Sequence, residues 1–91
     1  MNVKTLLACG ELLLAIGDDP GRTVRHYVTV RKEGRASVNS TLLAKIGILR
    51  EEGLLDSSPG EYRGRPTVLL TLSPAGQGAY GLLRALRELV S

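Results

Sequence analysis

The 91-residue sequence has no tryptophan, no phenylalanine and only three tyrosines, so its core must be built from aliphatic side chains. It has one cysteine, Cys9, which excludes an intramolecular disulfide. With His26 as the only histidine, the soft ligands that a zinc or copper site needs are missing. No pair of carboxylates, and no nucleophile with a neighbouring base, indicates catalysis. We therefore expect a protein that is not an enzyme and that uses no metal or cofactor.

Long apolar runs are missing as well, since none approaches the roughly 18–20 residues that span a bilayer. The first residues, "MNVKTLLACGELLLAIG", look like a signal peptide. Glu11 interrupts their apolar part, however, and no small-residue cleavage site precedes a mature domain of useful size. An amphipathic helix is the better interpretation. Together with the single cysteine, which fits a reducing compartment, this predicts a cytoplasmic protein without a membrane partner.

Acidic residues are scarce between Arg22 and Arg35, where five basic residues accompany one glutamate. The net charge of +3 is only mildly basic, so this uneven distribution is more informative than the total. A basic face of this kind fits a nucleic-acid partner. Charge alone leaves open the alternative of an ordinary solvated surface.

Apolar residues at helical spacing predict a first helix over residues 3–16, which Gly17 and the turn sequence "DDPG" would end. The next segment, 23–33, is ambiguous. Its valines fit a helix stripe, but its β-branched residues also suit a strand. Thr23 as a cap and Gly34 as a stop favour a helix. The whole chain, 1–91, is short enough to form one domain.

A third helix is predicted over residues 38–52. Leu42, Ile46 and Leu49 are spaced by four and three and form one apolar stripe, which Gly53 terminates. Ser37 and Asn39 are alternative N-caps. Because only a few residues separate this helix from the one before it, the pair resembles a helix-turn-helix.

A β-hairpin is predicted over residues 54–72, with short strands and a long tip that contains two prolines and two glycines. Alternation places Val68, Leu70 and Leu72 toward the core. Ser73 then caps a last helix, predicted over residues 74–90 with Pro74 in its first turn. This helix begins with "GQGAYG", a literal G-x-G-x-x-G. We interpret it as close helix packing, because no second parallel strand or acidic ribose ligand follows it.

Two stretches now carry a resemblance to a known family. "STLLAKIGILREEGLL" (40–55) resembles the recognition helix of MarR-, ArsR- and PadR-like prokaryotic transcription regulators, and "YRGRPTVLLTLSPAGQ" (62–77) resembles their wing. Their order after two helices adds to the likeness, which covers nearly the whole chain. The resemblance implies a winged helix-turn-helix: an α+β, mostly α fold of three helices, a two-stranded hairpin and a C-terminal helix. It also implies a sequence-specific regulator, most often a repressor, that binds double-stranded DNA.

The resemblance places the recognition helix in the major groove, where residues near its start meet base edges. In this sequence those residues are Asn39, Ser40 and Thr41, although the first two have a capping role as an alternative. Lys45 and Arg50 would lie nearer the backbone. The exposed side also carries Ala44 and Gly47, which offer little to bases. These two residues keep open a nonspecific nucleic-acid or chromatin binder as an alternative.

Further DNA contacts are expected from arginines outside that helix. Arg63 and Arg65 lie at the predicted wing tip, where an extended arginine can enter a narrow minor groove. The basic segment holds five candidates for phosphate contacts that do not read sequence: Arg22, Arg25, Arg31, Lys32 and Arg35. We expect about half of them to contact DNA and assign Arg22, Arg25 and Arg35, with ordinary surface charge as the alternative for the rest.

The terminal helices are more apolar than one small core requires, which predicts a homodimer through them. The residues assigned to this interface are Leu12, Leu13, Leu82, Leu86 and Leu89. The alternative is a winged-helix module that uses the same apolar surface to bind a different protein.

Overall fold

The computed structural model describes residues 3–90. The elements follow in the order α1 (Val3–Asp18), β1 (Arg22–Thr23), α2 (Val24–Val28), β2 (Thr29–Lys32), β3 (Arg35–Val38), α3 (Ser40–Glu51), β4 (Leu55–Tyr62), β5 (Arg65–Leu72) and α4 (Pro74–Val90). Strands β1, β5 and β4 form a three-stranded antiparallel sheet in that order, while β2 and β3 form a separate two-stranded sheet. Within residues 3–90, each helix is too short or too polar to cross a membrane.

The core is mainly aliphatic, as the composition predicts, with Tyr27 as its one aromatic residue among residues 3–90, and α1 lies at its centre. Its buried residues are Cys9, Leu12, Leu13, Ile16, Tyr27, Val28, Ile46, Leu49, Leu54, Leu70, Leu72 and Ala79. Leu12 and Leu13 are 5% and 1% exposed, so the assignment of these two leucines to a dimer interface is wrong. They fill the core of their own chain, where each buried leucine contributes about 1.5–3 kcal/mol, and no partner can reach them.

The helix predicted over residues 23–33 ends at Val28. Residues 29–38 form a β-hairpin instead, paired from Thr29↔Val38 to Lys32↔Arg35. The Thr29 hydroxyl donates to the Arg25 carbonyl at the helix end, and β-branched residues favour the extended chain that follows. Gly34, predicted to stop a helix, is the second residue of a two-residue turn, with φ of +78°.

This hairpin also explains why α3 begins at Ser40 rather than at residue 38. Residues up to Val38 are extended in β3, and Asn39 is the N-cap. The Asn39 backbone N–H donates to the Val28 carbonyl at 2.8 Å, which closes the base of the hairpin. Helices α2 and α3 thus remain neighbours, as in a helix-turn-helix, but a ten-residue hairpin replaces the turn.

The wing has longer strands and a tighter tip than predicted. Strands β4 and β5 pair continuously from Leu55↔Leu72 to Tyr62↔Arg65. Arg63 and Gly64 form a two-residue turn with φ of +52° and +76°. Pro59 is tolerated because β4 is an edge strand, and Pro66 because it lies beyond the short stretch of β5 that pairs with β1.

Two glycines mark where the terminal helices approach their neighbours. Gly17 does not end α1, which continues to Asp18; the Tyr80 ring lies against it, so close that a Cβ would sit 2.2 Å from a ring carbon. A Cβ at Gly76 would lie 2.0 Å from the Leu54 carbonyl oxygen. Helix α4 therefore packs directly on the base of the wing, whereas Gly78 and Gly81 of the same motif face open space.

Candidate nucleic-acid interface

The start of α3 is held by Asn39. Its side-chain Oδ1 accepts a hydrogen bond from the Leu42 N–H at 3.0 Å. That oxygen is one of the two groups a bidentate adenine contact uses, so the capping role predicted as the alternative is the one the structure gives Asn39. Ser40 and Thr41 follow in the first turn with exposed side chains. The hydrogen-bonding groups available at this end of α3 are therefore two hydroxyls and the Asn39 amide N–H groups.

Between its first and last turns, the outer face of α3 is apolar or small, and the acidic Glu51 is exposed at its end. Leu43 and Ile48 are 47% and 40% exposed, and Ala44 and Gly47 lie between them. Arg50 is exposed in the last turn, about 15 Å along the axis from Ser40 at 1.5 Å per residue. The predicted base-reading helix therefore offers little beyond its first turn.

Lys45 lies at the edge of α3 that is turned toward α1. Its side chain is half-buried, and its charge acts on the thiol of Cys9. Burial raises the pKa of Cys9, and the nearby Lys45 charge lowers it by a smaller amount. The cysteine is therefore a protonated core residue at neutral pH. Among residues 3–90 no three histidine, cysteine or acidic side chains converge as a metal site would require.

The wing tip presents two exposed arginines at a two-residue turn. The Arg63 guanidinium carbon lies 5.3 Å from the centre of the Tyr62 ring, within range of a cation–π contact. Arg65 follows the turn on β5 and is also exposed. Neither arginine forms an ion pair with a carboxylate in the described part of the chain, so both charges remain available to a ligand.

A groove of about 660 Å³ separates the wing from α2 and the β2–β3 hairpin. Arg25, His26 and Arg31 line one wall, and Tyr62 and Thr67 line the other. The sequence predicts a DNA contact for Arg25 but does not predict the groove as a unit. Two of its lining residues, Thr29 and Arg31, belong to the β2–β3 hairpin, which the prediction of a helix over residues 23–33 did not include.

The remaining arginines predicted to contact phosphates differ in whether a neighbouring carboxylate compensates their charge. Arg22 donates from Nε to an Asp19 carboxylate oxygen at 3.1 Å, so its charge is partly compensated. The other oxygen of Asp19 lies 3.3 Å from the His26 Nε2. Arg35 is exposed on β3, opposite Lys32, and forms no ion pair among residues 3–90.

One side of the exposed surface of α4 is apolar. Leu82, Leu86 and Leu89 are 54%, 50% and 80% exposed, unlike the buried Leu12 and Leu13. Leu7 on the neighbouring α1 is 81% exposed. Three of the five leucines predicted to form an interface thus lie on one exposed surface.

No protein-family model matches the sequence, and no curated protein matches it. Among solved structures, the chain is similar to Streptococcus pneumoniae FabT in its crystal structure in complex with DNA, with a TM-score of 0.67 and 19% sequence identity. The match covers 99% of this chain and 57% of the FabT chain, so the chain spans little more than half the length of that protein. At this identity the likeness concerns the fold: the chain is an α+β, mostly helical winged helix.

Proposed function

We propose that the chain is a cytoplasmic regulator of transcription that binds double-stranded DNA, as a homodimer and as a repressor. The first turn of α3 enters the major groove, and Arg63 and Arg65 contact the minor groove or the backbone. The observation that carries this proposal is the pair of exposed arginines, without an ion pair among residues 3–90, at the tip of the wing. The similarity to FabT, whose structure is a complex with DNA, supports the same partner.

The test compares two variants that each remove two positive charges. Arg63→Asn with Arg65→Gln changes the wing tip, and asparagine suits the left-handed turn position better than arginine does. Arg84→Gln with Arg87→Gln is the control on α4. Fluorescence anisotropy with duplexes selected from a random pool, measured from 50 to 200 mM salt, gives the affinity and its salt slope.

We expect the wing variant to weaken binding and to reduce the slope by about 0.9 for each phosphate that it no longer neutralises, with an unchanged melting temperature. The α4 control should bind almost as the wild type does. Absence of any duplex binding by the wild type at low salt contradicts the proposal.

The homodimer rests on the exposed leucines of α4. Leu82, Leu86 and Leu89 recur at helical spacing, so they form one stripe that a second copy can cover. Leu86→Glu should convert a dimer into a monomer in light scattering at micromolar concentration. A wild-type monomer under the same conditions contradicts this part of the proposal alone.

A protein-binding module is the second candidate, and the apolar outer face of α3 favours it. Leu43 and Ile48 occupy the face that would meet bases, where exposed aliphatic side chains fit a protein partner better than a duplex. Leu43→Ser distinguishes the two candidates. It should leave DNA affinity within about twofold if α3 contacts DNA only through its first turn, and it should abolish capture of a stoichiometric protein partner if the face binds protein.

A further inference from the structure

We propose that the groove between the β2–β3 hairpin and the wing binds the sugar–phosphate backbone of DNA, so that two hairpins rather than one hold the duplex. This inference rests on the proposed function and extends it. The groove supplies a contact that is independent of base sequence, at a site that the recognition helix does not form.

The chemistry of the groove walls indicates a phosphate ligand. Arg25 and Arg31 form no ion pair among residues 3–90, although both lie on the same wall. Two uncompensated guanidinium groups facing one groove repel each other, and a chain of phosphates removes that repulsion. His26 lies on the same wall, and its Nε2 is 3.3 Å from an Asp19 carboxylate oxygen.

Hydroxyl groups complete the set of donors. The Thr23 hydroxyl accepts from the His26 backbone N–H, which leaves its own proton free to donate. Thr67 and Tyr62 present further hydroxyls from the wing. Phosphate contacts in protein–DNA complexes come from this set of groups, namely arginine, threonine and tyrosine.

The outer face of α3 supports the same conclusion, because it carries few polar groups. Beyond the first turn it exposes Leu43, Ala44, Gly47 and Ile48, and its last turn adds Arg50 and the acidic Glu51, so base contacts alone offer few positive charges. Phosphate contacts supply most of the affinity in nonspecific binding and a large share in specific binding. The groove and the wing tip together provide those charges.

The experiment uses the full chain and the double variant Arg25→Gln with Arg31→Gln, whose side chains are exposed and outside the core. We expect the salt slope to fall by about 1.8 and the affinity for selected and random duplexes to fall by the same factor, because phosphates carry no sequence information. The α4 variant Arg84→Gln with Arg87→Gln is the control for general loss of charge.

A second variant, Thr67→Val, tests the groove without a change of charge. It should weaken duplex binding about fivefold with the salt slope unchanged, since one hydrogen bond is removed and no counterion is involved. Valine suits the β5 strand, so the fold is retained.

Three results would overturn the inference. One is wild-type affinity and salt slope in the Arg25 and Arg31 variant while the wing variant still weakens binding, because DNA binding would then be intact without the groove. The second is that the wild type binds inorganic phosphate and this variant does not, while both bind duplex DNA with the same affinity. The groove would then be a site for free phosphate. If the wild type bound no duplex at all, the proposed function would fail as well.

Discussion

The two β-hairpins have turns of the same type, but they differ in how they are attached to the rest of the domain. Each closes with a non-glycine residue and a glycine in the left-handed region, Glu33–Gly34 in one and Arg63–Gly64 in the other. The wing has strands of eight residues, a third strand beside its base, and Leu70 and Leu72 in the core. The β2–β3 hairpin has strands of four residues, and every residue from 31 to 38 is exposed.

This difference separates two conditions that a hairpin must meet. The turn decides where the chain reverses, and both turns have two residues with positive φ. Burial of one face decides whether the hairpin shares the stability of the domain, and only the wing achieves it. Both hairpins thus project cations, but one does so from a rigid base and the other as an appendage between two helices.

The largest expected effect comes from Leu70→Ala, which weakens the attachment of the wing to the core. Leu70 is fully buried, and a leucine-to-alanine change at such a site costs about 3–4 kcal/mol of unfolding free energy. The matched change in the other hairpin, Val30→Ala, should cost less than about 1 kcal/mol because Val30 is only half-buried. Urea denaturation followed by circular dichroism measures both. Equal losses would show that the β2–β3 hairpin is as firmly anchored as the wing.

Gly76→Ala would place a methyl group of α4 against the base of the wing. The new Cβ would lie 2.0 Å from the Leu54 carbonyl oxygen, and backbone cannot move aside as a side chain can. We expect a loss of about 2–3 kcal/mol. Gly78→Ala, two residues along the same helix and facing open space, should stabilise by about 0.5–1 kcal/mol. A neutral Gly76→Ala would contradict the close approach of α4 to the wing.

The turns themselves allow a direct test of the comparison. Gly64→Ala and Gly34→Ala place the same side chain at φ of +76° and +78°, which costs about 1–2 kcal/mol locally in each case. In the wing this strain should appear in the global unfolding free energy. In the β2–β3 hairpin it should cost less than about 0.5 kcal/mol globally, because that hairpin opens on its own. Hydrogen exchange at residues 29–38 should then accelerate in Gly34→Ala without a matching change in the core.

The same contrast explains which elements can be predicted from the sequence. Strand β5 is predictable because Leu70 and Leu72 alternate inward, although Val68, predicted to face the core, is 48% exposed where the strand leaves it. Residues 29–38 have no such alternation. Gly34 serves equally well as a helix stop and as a turn residue, and no buried contact distinguishes the two.

The candidate DNA-binding site is also only partly predictable from the sequence. The exposure of Arg63 and Arg65 follows from a Gly-Arg-Pro tip whatever the exact turn, so it requires only the hairpin. The groove requires the position of Arg31 relative to Tyr62, which depends on the unpredicted hairpin. In sequence, Leu12 and Leu13 are as apolar as Leu86, which is why the predicted interface includes all three. Only the packing of α1 shows which leucines are already covered.

A modest effect is expected at Tyr27, on α2 just before the β2–β3 hairpin. Its hydroxyl donates to the Asp19 carbonyl at 2.6 Å and accepts from the Arg22 N–H at 3.2 Å. Tyr27→Phe should cost about 1 kcal/mol at pH 7, the net value of such a hydrogen bond. The control is Tyr80→Phe, which removes a more exposed hydroxyl bonded to Asp18 and should cost less.

The raised pKa of Tyr27 also predicts how the stability of the fold changes with pH. Burial is the main cause that raises the pKa of Tyr27 above its ordinary value of about 10, and the hydrogen bond to Asp18 raises the pKa of Tyr80. A raised pKa in the folded state means that the unfolded chain ionises first. The stabilisation is therefore complete below pH 10 and is lost as the pH rises through the folded-state pKa. Melting temperatures from pH 8 to 11 should fall less steeply in Tyr27→Phe than in the wild type. An identical slope would mean that burial and the contacts with Asp19 and Arg22 do not raise the pKa of the Tyr27 hydroxyl.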